Sequence, residues 1–242
     1  MQQEAVTRAA RPNLAPIPME CDAAFLKVQG ELPRELNGTL YRNGPNPQFE
    51  APRAHWFVGD GMLHAFHLEN GRASYRNRWV RTPKWQAEHD AGRALFGGFG
   101  RKLPDAPASV IQDGGVANTN IIFHAGRLLA LEEGHLPTEI EPGTLRRLGY
   151  CDYAGGITGP FTAHPKIDPV TGEMVFFGYN AAGPLTPALI CARLGTRSGN
   201  RIVFGGGVAH RDDDGFGWRR CRRFATGEVR EWRRRAWPTL SS

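Results

Sequence analysis

The chain has 242 residues, enough to bury a substantial core as one all-β domain or as two ordinary domains. Thirty Gly and eighteen Pro, with few long stretches of helical periodicity, favour strands and turns. No apolar run reaches membrane-spanning length, and the polar start at Met1 lacks the pattern of a secretory signal. We therefore expect a cytoplasmic protein.

The net charge of +6 is unevenly distributed. Residues 191–242 contain twelve Arg, no Lys and five acidic residues, whereas residues 1–190 carry a balance of −1. Basic residues interleaved with aromatic ones, as in 218–224 and 230–237, are what a nucleic-acid contact would use. Neither segment has a clean strand or helix period. An out-of-frame or otherwise unselected segment explains this better than a binding function does, so nucleic acid is disfavoured as a partner.

Three patterns that could bind a ligand are weak. The four cysteines lack CxxC spacing and are expected to be free thiols; they are Cys21, Cys151, Cys191 and Cys221. The glycine-rich residues 96–100 lack the strand-to-helix setting of a phosphate loop, so we exclude a nucleotide site there. His210 precedes three contiguous Asp residues, which is not the alternating pattern of a calcium loop.

The predicted elements begin after a polar, proline-rich arm. A short helical turn, a strand and a Gly/Pro/Asn corner follow over 30–47. Residues 55–62 read as two apolar strands around a turn at Asp60-Gly61, so Asp60 is interpreted as a turn former. Residues 88–93 are predicted to be helical.

Three hairpins are predicted further along the chain. Strands 63–68 and 73–80 meet at Asn70-Gly71, strands 120–123 and 127–131 at Ala125-Gly126, and strands 166–167 and 174–179 at a turn that ends in Gly172. The turn glycines are 55 and 46 residues apart, close to the ~40–50 residues of a propeller blade. This interval favours a β-propeller over a β-sandwich.

Six ordered stretches carry a resemblance to a known family. They are 30–49 (with Tyr41-Arg42-Asn43-Gly44), 55–66, 77–82, 117–120, 129–134 and 161–179. Together they resemble the carotenoid cleavage oxygenases, which include apocarotenoid and stilbene cleaving dioxygenases. Residues 190–242 show no such match. We therefore divide the chain into an arm (1–24), a partial propeller (25–189) and an unmatched Arg-rich tail (190–242).

The resemblance implies a seven-bladed β-propeller with Fe(II) on its axis, held by four histidines from separate blades. It implies cleavage of one conjugated carbon–carbon double bond by O2 into two carbonyl products. The substrate would be an apolar polyene or stilbene. Peripheral membrane contact is also implied by the resemblance, although no continuous amphipathic segment is evident.

Two residues match family site positions. His164, in Thr162-Ala163-His164-Pro165, matches the first iron ligand, and the following Pro favours an extended backbone there. Glu133 matches a carboxylate that orients another ligand histidine. Residues 41–44 are interpreted as blade-closing structure. The remaining histidines before residue 190 are interpreted as structural or surface residues; they are His55, His64, His67, His89, His124 and His135.

The length argues against a complete propeller, because seven blades require at least ~300 residues. Only His210 follows residue 189, so three of the four ligands are missing and we assign no catalytic residue. The sequence predicts the N-terminal part of an all-β dioxygenase. A catalytically inactive fragment and a binding module that uses the Arg/Trp tail remain alternatives.

Overall fold

Three successive four-stranded antiparallel sheets form the body of the protein. The computed structural model describes residues 15–50, 55–157 and 159–178, and beyond them the strand segments 189–194, 203–207, 210–212 and 215–217. The described part contains one α-helix. Repetition of one four-stranded unit along the chain is the architecture expected of propeller blades.

The first sheet contains β1 (Cys21–Ala23), β2 (Gly38–Pro45), β3 (Gly61–Glu69) and β4 (Arg72–Trp79), in the order β1-β4-β3-β2. The β3–β4 hairpin turns at Asn70 and Gly71, whose φ angles of 49° and 74° are both left-handed. Left-handed conformations at both central residues are typical of a two-residue hairpin turn. The first predicted hairpin is therefore confirmed.

The second sheet contains β5 (Asn120–His124), β6 (Arg127–Leu131), β7 (Thr138–Ile140) and β8 (Arg147–Tyr150), in chain order. Its first turn, at Ala125 and Gly126, repeats the left-handed pair with φ angles of 49° and 78°. The second predicted hairpin is confirmed in its position and in its turn.

The third sheet contains β9 (Lys166–Ile167), β10 (Met174–Phe176), β11 (Leu189–Leu194) and β12 (Val203–Gly207). The β9–β10 turn closes with a 2.8 Å hydrogen bond from the Gly172 amide to the Asp168 carbonyl, which confirms the third predicted hairpin. The sheet extends past residue 189, where the predicted propeller portion ended. Two further strands, β13 (His210–Asp212) and β14 (Gly215–Gly217), pair with each other.

The helix α1 (Pro83–Ala91) begins five residues before the predicted one. Thr82 caps it by accepting a hydrogen bond from the Trp85 amide, and Pro83 occupies the first helical position, where a missing N–H costs nothing. It ends at Gly92, which has a left-handed φ of 65°. The capping pattern Thr-Pro was present in the sequence and was overlooked.

The predicted strand before Asp60 is wrong. Residues Trp56–Val58 form a short 3-10 helix, and β3 begins directly at Gly61, so Asp60 does not connect two strands. Asp60 is 1% exposed. A Cβ at Gly61 would lie 2.3 Å from the Ala117 carbonyl oxygen, so this glycine allows the first and second sheets to approach closely.

Asp60 belongs to a buried lysine cluster, which consists of Lys84, Asp60 and Glu88. The Lys84 ammonium donates to Asp60 Oδ1 at 2.8 Å and to Glu88 Oε2 at 2.6 Å. The other carboxylate oxygens accept backbone amides, Asp60 Oδ2 from Gln48 and Glu88 Oε1 from Leu95 and Phe96. Burial opposes the charged form of Lys84, but the two carboxylates outweigh it and raise its pKa. The cluster fastens α1 to the start of β3.

The core has two layers separated by β6. Leu128 and Ala130 pack toward the first sheet, while Leu129 and Leu131 pack toward the third. Because successive side chains of a strand point to opposite faces, an uninterrupted apolar strand can serve both layers. The middle sheet is thus buried on both sides, as a blade between two neighbours must be.

Candidate metal centre

His164 lies on a fixed segment just before β9. The Thr162 amide donates to the Phe177 carbonyl at 2.8 Å, and the Thr162 hydroxyl accepts from the His164 amide at 3.1 Å. Phe161 is fully buried and stacks on Phe176 with ring centroids 4.2 Å apart. The backbone of this segment is therefore held, while the His164 side chain is 63% exposed. The imidazole is accessible to a ligand.

Glu133, just after β6, is the nearest carboxylate to this imidazole. His164 Nε2 and Glu133 Oε1 are 3.9 Å apart. The second oxygen, Oε2, is buried and has no hydrogen-bond partner among the described residues. A buried carboxylate oxygen without a partner costs free energy, so it favours an added donor such as an imidazole N–H. The structure brings His164 and Glu133 to within 3.9 Å of each other, whereas the resemblance pairs Glu133 with a different ligand histidine.

Glu132, which sequence reasoning missed, has the opposite character. Its Oε1 accepts from the backbone amides of Val116 and Ala117 at 2.7 and 2.9 Å. Its Oε2 lies 3.2 Å from His135 Nδ1. The only available signal was the doubled Glu at 132–133, which does not say which carboxylate turns inward.

His135 lies between two carboxylates. Asp113 Oδ1 is 3.5 Å from His135 Nε2, and Asp113 Oδ2 accepts a 2.7 Å hydrogen bond from the Tyr150 hydroxyl. The Glu132 carboxylate raises the pKa of His135, while burial opposes the rise. This histidine is half-buried and links Asp113 to Glu132. Because both of its ring nitrogens face carboxylates of the protein, we keep the interpretation that it is structural.

Asparagine side chains connect the sheets to the His164 segment. Asn43 Nδ2 donates to the carbonyls of Ala117 and Asn120 at 2.8 and 2.9 Å. Asn120 Nδ2 in turn donates to the Ala163 carbonyl at 2.9 Å. The first residue of β5 is therefore hydrogen-bonded both to β2 and to the residue before His164. Asn43 and Asn120, which belong to the recognised motifs, link the sheets by hydrogen bonds and position His164.

The described residues do not assemble a complete metal site. Within that part of the chain, no group of three or more His, Cys, Asp or Glu side chains is placed to hold a metal ion. His164 and Glu133 suit the implied iron in kind, as an accessible imidazole and a carboxylate with a free oxygen, but not in number. The side chain of His210 lies outside the described residues, as do Cys191 and Cys221. Cys21 and Cys151 are free, as predicted.

The described helices include none that is both long and apolar enough to cross a membrane. The segments 218–224 and 230–237, which raised the possibility of nucleic-acid binding, lie outside the described residues. The described structure therefore does not bear on nucleic-acid binding by these segments.

Comparison with known proteins places the chain in a family. The family model described as retinal pigment epithelial membrane protein matches residues 14–210. The chain is 45% identical over 177 residues to isoeugenol monooxygenase of Pseudomonas nitroreducens, covering 72% of this chain and 37% of that protein. It is also 45% identical over 177 residues to resveratrol cleavage oxygenase 1 of Aspergillus fumigatus, covering 72% of this chain and 35% of that protein.

The fold comparison agrees. The crystal structure of Pseudomonas brassicacearum lignostilbene dioxygenase superposes with a TM-score of 0.70 and 31% identity, over 84% of this chain and 49% of that one. The prediction of a partial all-β propeller is confirmed. The family match extends to residue 210, past residue 189, where the predicted propeller portion ends. The chain spans little more than a third of the length of these curated relatives, and it belongs to the family of retinal pigment epithelial membrane protein and the carotenoid cleavage oxygenases.

Proposed function

We propose that the chain is the N-terminal part of an O2-dependent nonheme Fe(II) dioxygenase. Its reaction cleaves a conjugated carbon–carbon double bond in a stilbene, carotenoid or apocarotenoid to give two carbonyl products. Family membership supports the reaction class, and the relatives named for isoeugenol, resveratrol and lignostilbene favour a substrate in which the double bond is conjugated to an aromatic ring. The observation that carries the proposal for this site is the buried, unpaired Oε2 of Glu133 beside His164.

In this proposal His164 is one ligand of the iron and Glu133 orients another. The exposed imidazole of His164 is free to coordinate a metal, since none of its ring atoms is committed to a hydrogen bond within the described residues. Glu133 Oε2 accepts the N–H of a ligand imidazole from a later part of the family propeller, which fixes the tautomer of that ring. Bound iron supplies the redox chemistry by which O2 reacts with the double bond.

The proposal also divides the chain. An arm covers 1–24, a propeller portion follows, and an Arg-rich tail ends the sequence. We place the start of the tail after residue 210 rather than at 190, because the third sheet includes Val203–Gly207 and the family match reaches 210. A frameshifted origin of the tail remains part of this proposal.

A catalytically inactive fragment is the second candidate. It is favoured by the lack, in the described part, of any cluster of three metal-binding side chains. One imidazole and one carboxylate do not retain iron against water, so His164 alone would leave the site empty.

Two measurements test the proposal in sequence. First, the coding DNA read in another frame after about codon 210, where the family match ends, should restore family-like sequence with further histidine motifs. Second, the restored protein should carry about one iron per chain, because a complete ligand set binds far more tightly than one imidazole, while the 242-residue chain carries much less.

His164→Ala should lower the iron content of the restored protein. His67→Ala is the matched control, because His67 is an exposed histidine on β3, away from the candidate site. If no frame restores family sequence and the 242-residue chain retains no iron, the inactive fragment is the correct description.

A further inference from the structure

A groove lined by arginines runs along the seam between the first and second sheets. Its volume is about 430 Å³, and five guanidinium groups line it, those of Arg76, Arg78, Arg81, Arg146 and Arg147. Alternation along β4 places Arg76 and Arg78 on one face of the strand, and Arg147 begins β8. We call this feature the arginine groove.

The hydrogen bonds that hold the two sheets together at this seam do not neutralise the arginine charges. The Tyr41 hydroxyl donates to the Pro142 carbonyl at 3.2 Å, and Arg76 donates to the Gly143 carbonyl. Both bonds bring the turn between β7 and β8 against the first sheet. The arginines on the two sides of the groove therefore face one space.

The carboxylates around the groove are too few to neutralise it. Asp22 pairs with Arg76 and Arg78, Glu20 pairs with Arg81 at 2.9 Å, and Glu141 pairs with Arg146 at 3.2 Å. Within the described residues, three carboxylates thus face five guanidinium groups. None of the residues that line the groove is acidic. An excess of about two positive charges remains in a concave site, where potentials are focused.

Arg147 is the arginine without a carboxylate. No ion pair of Arg147 is present among the described residues, and its Nε is buried without a hydrogen-bond partner. Its guanidinium lies 4.9 Å from the centroid of the Tyr150 ring, which holds it in place. The guanidinium of Arg147 is thus held by the Tyr150 ring and has no carboxylate partner among the described residues, so it suits an incoming anion.

We propose that the arginine groove binds a phosphate monoester, with the phosphoryl group on Arg146 and Arg147 and the organic part on Trp79. The guanidinium fork matches tetrahedral oxyanions by paired N–H···O bonds. The groove is larger than a free phosphate requires, and the Trp79 indole gives it an apolar wall. The proposal does not depend on the oxygenase function, because none of these residues touches His164 or Glu133.

Phenyl phosphate is the probe, measured by calorimetric titration of the full 242-residue chain at low salt. Binding should be saturable with about one site per chain and should weaken with added salt. The double variant R146Q/R147Q should lose about tenfold or more in affinity, since two charge-assisted pairs are removed. Arg147→Lys keeps the charge but not the fork, so its affinity should fall between those of the wild type and the double variant.

Arg72→Gln is the matched control, because Arg72 is an exposed arginine at the other end of β4. It should change the affinity by less than about twofold. The basic tail is present in all variants and cannot produce a difference between them. Circular dichroism establishes whether each variant is folded. If the double variant does not fold, the affinity of Arg147→Lys still tests the proposal.

A second experiment distinguishes a small soluble ester from a lipid headgroup as the source of the phosphoryl group. Vesicles of phosphatidylcholine with phosphatidic acid are compared with phosphatidylcholine alone, with and without competing phenyl phosphate. Competition at the groove supports the phosphoryl site with a lipid as its source, and phenyl phosphate binding without vesicle binding supports a soluble ester. The proposal is overturned by the absence of saturable phenyl phosphate binding, by equal binding of phenol, or by an equal loss in Arg72→Gln.

Discussion

The lysine cluster and the paired glutamates 132 and 133 place buried carboxylates in different situations. In the lysine cluster every oxygen of Asp60 and Glu88 has a donor, and Lys84 neutralises part of their charge. Glu132 is nearly as well satisfied by two backbone amides. Glu133, one residue later, keeps a buried oxygen that has no partner in the part of the chain that the structure describes.

On our proposal, this difference separates structural carboxylates from one, Glu133, that is prepared for a ligand. A satisfied buried network fixes a unique packing, and removing any member leaves the others unpaired. An unsatisfied oxygen contributes nothing comparable to folding, so its removal should cost little. Stability measurements can therefore distinguish the two kinds without knowledge of the ligand.

The largest effect is expected for Lys84→Met. It leaves the carboxylates of Asp60 and Glu88 buried without their cation, which should reduce the free energy of unfolding by about 3–5 kcal/mol. Urea unfolding followed by tryptophan fluorescence measures the loss. Lys27→Met, at an exposed position, should stay within about 0.5 kcal/mol of the wild type. A small effect of Lys84→Met would show that the cluster does not fasten α1.

The neighbouring glutamates provide the sharpest contrast. Glu132→Ala leaves the amides of Val116 and Ala117 without their acceptor and should cost about 2–3 kcal/mol. Glu133→Ala removes an unpaired oxygen and should cost less than about 1 kcal/mol. Both are compared by urea unfolding. Glu132→Gln keeps an acceptor oxygen and should recover part of the loss. Equal losses for the two alanine variants would remove the distinction between them.

The smallest effect concerns pH. Because the Glu132 carboxylate raises the pKa of His135 above its ordinary value of 6.5, the folded state binds the proton more tightly than the unfolded state. The associated stability is fully present below about pH 6.5 and is lost as the pH rises through the raised folded pKa.

His135→Gln removes this contribution, so its difference from the wild type should shrink by about 0.5–1 kcal/mol between pH 5.5 and 8.5. Unfolding in urea across that pH range measures it. His67→Gln is the control, because His67 is exposed on β3 and lies outside the Asp113–His135–Glu132 group. A pH-independent difference would mean that His135 is held by packing alone.

The hairpins could be predicted from the sequence because their cause is local. Asn70-Gly71 and Ala125-Gly126 adopt the paired left-handed conformations that a two-residue turn requires, and apolar alternation marks the strands on either side. The helix start was predicted five residues late because its signal is a cap, Thr82 followed by Pro83, rather than a periodic pattern.

The polar groups at the site were less accessible to sequence reasoning. The motif around His164 is enough to propose it as a ligand. The different states of Glu132 and Glu133, however, depend on where residues 116–117 lie, which no local pattern encodes. Asp60 was misread for the same reason, since its partner Lys84 is 24 residues away. Polar contacts between distant segments require the tertiary structure.

The hydrogen bonds of Asn43 and Asn120 have a consequence for how the protein responds to pH. Carboxamides carry no charge and do not titrate in the range where proteins are studied. Asn43 and Asn120 therefore hold the neighbouring sheets and the Ala163 carbonyl with a strength that is insensitive to acidity and weakly sensitive to ionic strength. A change of pH that alters the charge of His135 therefore leaves the hydrogen-bond donors of Asn43 and Asn120 unchanged.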